Sequence, residues 1–175
     1  MISSGLTLKE IYPRLFHVTC ISHVLHNCAE KIRSRYKNID FLISSIKLAT
    51  VKNRDRHKIF DAVGMPPQPV ITRWGSWLKA AFYYSEKLPD IKKIVNSFKG
   101  KGILVFKAKE SLLDKNLYTD LGKLKNNYAD LLDLINKTEK NPFNIKNAFD
   151  ELSKLNFGDD IYLTNYFKKK ITKKF

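Results

Sequence analysis

A mostly α-helical fold with a small β component is what three features of this sequence predict. Apolar residues recur at helical spacing from Ile21 almost to the lysine-rich end. One short stretch departs from this: Phe16, Val18 and Cys20 alternate with His17 and Thr19, the period of two of a strand that buries one face. Pro66, Pro67 and Pro69 then interrupt the pattern, because proline fixes its own φ and pushes its predecessor towards extended backbone. The main internal boundary is placed there, giving segments 1–65 and 66–175.

Taken in order, Gly5 to Tyr12 reads as a short helix or turn ended by Pro13, with Thr7 and Glu10 spaced as a capping box. The strand of residues 16–20 follows. From Ile21 the period changes: Ile21, Val24, Leu25, Cys28, Ala29 and Ile32 share one helix face, with His23, His26, Asn27 and Glu30 opposite. With Thr19 or Cys20 as N-cap, His23 falls in the first turn, beside free backbone N–H groups and the positive end of the dipole, where a phosphate can be held. Arg33, Arg35 and Lys37 make a basic exit. Ile39, Leu42, Ile43, Ile46 and Ala49 predict a second amphipathic helix with Asp40 in its first turn. Residues 53–58 form a charged helical segment leading into Ile59-Phe60 and Ala62-Val63, which Gly64 closes.

Beyond the prolines, Val70-Ile71 is extended and Thr72 caps a helix running through Trp77, Leu78, Ala81 and Phe82 towards Leu88. Pro89 opens a separate helix carrying Ile91, Ile94, Val95 and Phe98, and Gly100-Lys101-Gly102 makes a turn. Leu117, Leu121, Leu124, Tyr128, Leu131 and Ile135 then form a heptad-like seam, too short for a coiled coil. It serves either the core of one long helix or a partner helix. Asn141-Pro142 breaks the pattern, Asn144 caps a further helix, and the tail from Phe167 is basic, a nuclear-import patch or a frayed end.

Composition narrows the function. Hydrophobic residues at 43% argue against disorder, and a net charge of +15 favours association with nucleic acid or another polyanion. All six arginines lie at or before Arg73, so a phosphate-reading surface belongs in the first half; a solvated basic surface that binds nothing specific is the plain alternative. Cys20 and Cys28, on one helix, would stand about 12 Å apart, beyond disulfide reach, which points to a reduced intracellular protein. No apolar run approaches the length of a membrane span, and the start lacks the form of a signal peptide.

The side chains that could do chemistry do not assemble into a catalytic set. His17, Cys20, His23, His26 and Cys28 crowd together, yet a structural zinc site needs a second ligand pair, and only His57 remains elsewhere. No metal ligand set is expected. Cys28 is a small apolar core residue and His26 a polar-face residue. Glu10, Glu30, Asp55 and Asp61 lack a spacing that would put two on one metal, and adjacent Asp159 and Asp160 point different ways. Trp77 reads as a hydrophobic anchor. Trp74 sits between Arg73 and a glycine that permits close approach to a neighbour.

Cys20-x-x-His23-Val24-Leu25-His26, followed after the proline turn by Thr72-Arg73-Trp74-Gly75-Ser76-Trp77, resembles the transposase domain of the hAT superfamily of DNA transposons. Ser111-Leu112-Leu113 and Leu117 to Leu121 also resemble that family. The resemblance implies a partial RNase H-like α/β core, residues 1–65, followed by a helical, insertion-like segment, residues 66–175. It implies that the tryptophan matching Trp74 stacks on a base turned out of the duplex. It implies too that a complete transposase works with Mg²⁺ held by three carboxylates, all of which fall outside this chain, so no catalytic residue and no cofactor are expected.

The expected function is that of a catalytically inactive remnant or fragment with weak, non-specific DNA binding, located in the nucleus. His23, Arg33, Arg35, Arg54, Arg56, Arg73 and Trp74 are its candidate DNA contacts, and Cys20, His23, Thr72, Arg73 and Trp74 its family motif. The alternatives are a recruited DNA- or chromatin-binding module and a helical protein-interaction or self-associating domain that uses the 117–135 seam.

Overall fold

The helical periodicity of the sequence becomes a bundle in the computed structural model, which describes residues 11–12, 21–51, 53–70, 74–140 and 145–172, the side chains of 74, 145–149 and 170–172 excepted. Its helices are α1 (Ile21–Arg35), α2 (Lys37–Val51), α3 (Arg54–Ile59), α4 (Trp74–Ser97), α5 (Ile103–Glu110), α6 (Leu117–Lys140), α7 (Ile145–Lys154) and α8 (Ile161–Thr172), with a 3-10 turn at Phe60–Ala62. The fold is mostly α, and no strand occurs among the described residues. The expected strand at 16–20 lies outside them, as do residues 5–10 of the expected N-terminal turn and the caps Thr72 and Asn144.

The apolar face read for α1 is the buried one: Val24, Leu25, Cys28, Ala29 and Ile32 are all inside. So are Ile39, Leu42, Ile43, Ile46 and Ala49 on α2. Only Tyr36 separates the two helices, and its N–H still reaches back to the carbonyls of Ile32 (3.3 Å) and Arg33 (3.1 Å). Across this joint Arg33 grips Asp40 with two parallel bonds, Nε to Oδ1 at 2.8 Å and Nη2 to Oδ2 at 3.0 Å. Such a fork is the strong form of a guanidinium–carboxylate contact.

Helices α4 and α6 form the long central pair; α1 packs on both, and α5 lies along α2. Every residue of the 117–135 seam is buried, so the seam serves the core of this chain and is not an open face for a partner. Segments 1–65 and 66–175 contribute to one hydrophobic cluster, in which Leu25 and Leu42 join Trp77, Tyr84 and Leu124. The prolines therefore fall in a link between helices that share a core. Gly64, at φ +80°, turns the chain there, and its carbonyl accepts from the Tyr83 hydroxyl.

The sequence reading is corrected at Pro89. One helix, α4, runs through it, where two were expected. A mid-helix proline removes one backbone bond and costs about 3 kcal/mol. Against that stand Trp77, Leu78, Ala81 and Tyr84 before it and Ile91 and Val95 after it, all buried. Each large one contributes about 1.5–3 kcal/mol, enough to keep both halves on α6.

Candidate nucleic-acid interface

The arginines that the sequence nominates together occupy different environments. Arg33 is engaged with Asp40, whose Oδ1 also accepts from Trp77 Nε1 at 3.0 Å. Arg35 pairs with the buried carboxylate of Asp160 and lies over the Tyr162 ring, 5.7 Å from its centroid. Arg56 donates to the carbonyl of Ala49 (3.2 Å) and to that of Lys99 (3.1 Å), with its guanidinium 5.6 Å from the Phe98 ring centre. Arg54 is exposed, as is His23. Cys20, Thr72 and Arg73 lie outside the described residues, and of Trp74 only the backbone, the first residue of α4, is described.

Arg56 therefore acts as a clamp, and what it clamps is basic. Asn53 starts α3 by accepting from the N–H groups of Asp55 (3.1 Å) and Arg56 (3.0 Å), an N-cap of the usual kind. Arg54 and Lys58, four residues apart, then share a face of the helix. The Arg56 bond to Lys99 brings the 99–102 turn against α3, and Phe60 meets Phe98 edge-on at 6.3 Å beneath it. Gly100 has φ +102°, a value only glycine adopts readily, and so lets the turn form. Arg54, Lys58, Lys99 and Lys101 all end up exposed at this end of the bundle. None of the four is in an ion pair among the described residues, although Asp55 and Asp61 stand exposed on the same segment.

A second polar centre holds the C-terminal helix. Asp160 caps α8, Oδ1 accepting from the Leu163 N–H at 3.0 Å, while Oδ2 accepts from the Tyr128 hydroxyl at 2.6 Å and from Arg35. Burial pushes this carboxyl up, but the Tyr128 and Leu163 bonds and the Arg35 charge outweigh it and hold it below the usual carboxylate range. The Tyr128 phenol is pushed up, first by burial and then by its bond to Asp160.

The family-like motif around Trp74 meets α1 and α6. The Gly75 N–H donates to His26 Nδ1 at 3.4 Å, and His26 Nε2 lies 3.4 Å from Glu139 Oε1. A Cβ on Gly75 would come 2.7 Å from Ile135 Cγ2, so the close approach expected at this glycine is real. His26, read as a polar-face residue, is thus a joint between three helices. Among the described residues no three His, Cys, Asp or Glu side chains gather in a group able to hold a metal ion. No helix is long and apolar enough to cross a membrane, again among the described residues.

Compared with known proteins, the chain matches no protein-family model, no curated protein and no solved structure. Lys58, Lys99 and Lys101 were not among the residues singled out from the sequence as contacts. Their signal was the proximity of a Gly-Lys-Gly turn to α3, which is a tertiary fact.

Proposed function

We propose that this chain is a catalytically inactive remnant or fragment of a hAT-like transposase that binds the DNA backbone weakly and without sequence preference. On this reading α1 and α2 belong to a partial RNase H-like core, the segment from α4 onwards to the insertion-like region, and the protein works in the nucleus. The family assignment rests on the resemblance of residues 20–26 and 72–77. The observation that supports backbone binding is that Arg54, Lys58, Lys99 and Lys101 are exposed on two segments, α3 and the 99–102 turn, that the Arg56 bond to Lys99 holds together, and that none of the four is ion-paired among the described residues. Such a group fixes position on a duplex but carries no information about bases. The three engaged arginines, Arg33, Arg35 and Arg56, contribute long-range potential more than direct contacts, while Arg54 is exposed and free to meet phosphate directly.

A salt series on a fluorescent 20-base-pair duplex tests this. Four neutralised phosphates give a log–log slope of about −3.6, at about −0.9 per contact. A flat salt response refutes backbone binding. No strand cleavage is expected with Mg²⁺ or Mn²⁺ on terminal-repeat DNA. Metal-dependent cleavage abolished by a carboxylate substitution within this chain overturns the inactive reading.

A further inference from the structure

Independently of DNA, we infer that the outer faces of α2 and α5 form a docking surface for an acidic amphipathic helix of another protein. On α2, Phe41, Leu48 and Val51 point outward, at spacings of seven and three that put them on one face, and Leu48 and Val51 are 47% and 62% exposed. On α5, Ile103 and Phe106 are 64% and 61% exposed, one turn apart. The two helices pack side by side, which sets their axes about 8–10 Å apart. Phe41 to Val51 spans about 15 Å of helix, a length suited to three turns of a bound peptide. Scattered exposed apolar residues are ordinary, but rows on two adjacent helices are the footprint of a helix-binding surface.

Charge selects the occupant. Lys37 lies on the same face of α2, Lys101 and Lys107 border the row on α5, and Glu110 is the single acid on that outer α5 face among the described residues. Asp40, which might have balanced the lysines, is engaged by Arg33 and Trp77. A second copy of a chain carrying +15 would bring like charges together. A helix with leucine at i, i+3, i+4 and i+7 and glutamate between complements both the apolar rows and the cations.

The test uses a fluorescein-labelled 20-residue synthetic peptide of that leucine and glutamate pattern, with polyglutamate of equal charge as control. The peptide is expected to bind, and polyglutamate at least tenfold more weakly. Leu48→Gln with Phe106→Gln should lower peptide affinity tenfold or more with an unchanged helical signal. Lys37→Gln with Lys107→Gln, which touches no apolar contact, should lower it severalfold. Equal binding of the two probes, or no effect of either variant pair, overturns the proposal. So does a concentration-dependent dimer that Leu48→Gln abolishes, or tighter binding to phosphatidylserine vesicles that depends on the same residues.

Discussion

Replacing Asp160 should loosen the C-terminal helix from the bundle, because one carboxylate holds three groups from three helices. Asp160→Ala removes the cap on α8, worth about 1 kcal/mol. It also leaves the Tyr128 hydroxyl, which donates to Asp160 at 2.6 Å, without its buried charged acceptor, a loss of about 1.5–3 kcal/mol. Arg35 is 46% exposed, so solvent screens its pair and it adds less than about 1 kcal/mol. The expected total is about 3 kcal/mol, or a fall in Tm of roughly 6–12 °C for a chain of this size. Asp160→Asn can still cap α8, so its loss should be smaller, while Asp159→Asn, on an exposed neighbour, should change almost nothing. The folded carboxyl is depressed, so the stability it supplies is complete above the unfolded value of about 3.9 and disappears as pH falls through the folded one. Thermal melts at pH 7 and at descending pH measure both effects. A Tm change below about 2 °C for Asp160→Ala, or a gap between wild type and Asp160→Asn that persists undiminished in strong acid, refutes the reasoning.

Three further substitutions probe the core. Gly75→Ala, which in an open helix would add about 1 kcal/mol, should instead destabilise by about 1–2 kcal/mol, because its Cβ would meet Ile135 Cγ2 at 2.7 Å; a raised Tm contradicts the close approach. Trp77→Phe keeps most of the buried ring but loses the Nε1 bond to Asp40, and chemical denaturation should show a loss of about 1–2 kcal/mol, with no loss pointing to a dispensable bond. Leu124→Asp puts a charge at a fully buried position of α6 and should abolish cooperative melting, whereas an intact monomer that merely fails to associate would return the seam to a partner.

Periodicity made the inner faces of α1, α2 and α6 legible because their apolar residues fall on one side without interruption. The same signal runs through α4 and on to Phe98 just past its end: Trp77, Ala81, Tyr84, Leu88, Ile91, Val95 and Phe98 keep spacings of four and three across Pro89. The local rule for proline predicts a break at Pro89, whereas burial outweighs proline in the fold. The candidate interface was harder to read, since arginine count says nothing of engagement. Arg33 and Asp40 stand seven residues apart, and Arg35 and Asp160 are separated by most of the chain, so only packing reveals that both guanidinium groups have partners. By sequence alone Asp160 is half of an adjacent acidic pair, and its role as a cap and acceptor exists only because the fold sets α8 and Tyr128 beside it.

Duplex affinity of two charge-matched variants tests the central claim, that backbone binding is local to α3 and the 99–102 turn. Arg54→Glu with Lys101→Glu and, as a control on other helices, Lys123→Glu with Lys169→Glu change net charge equally, and all four side chains are exposed. By fluorescence anisotropy at two salt concentrations, the first variant should lose at least tenfold in affinity and reduce the salt slope by about 2, at about 0.9 per lost contact, while the second loses less than threefold. Equal losses for the two variants, with equal changes in slope, would show that the whole charge of +15 does the binding and that no surface is set apart for it.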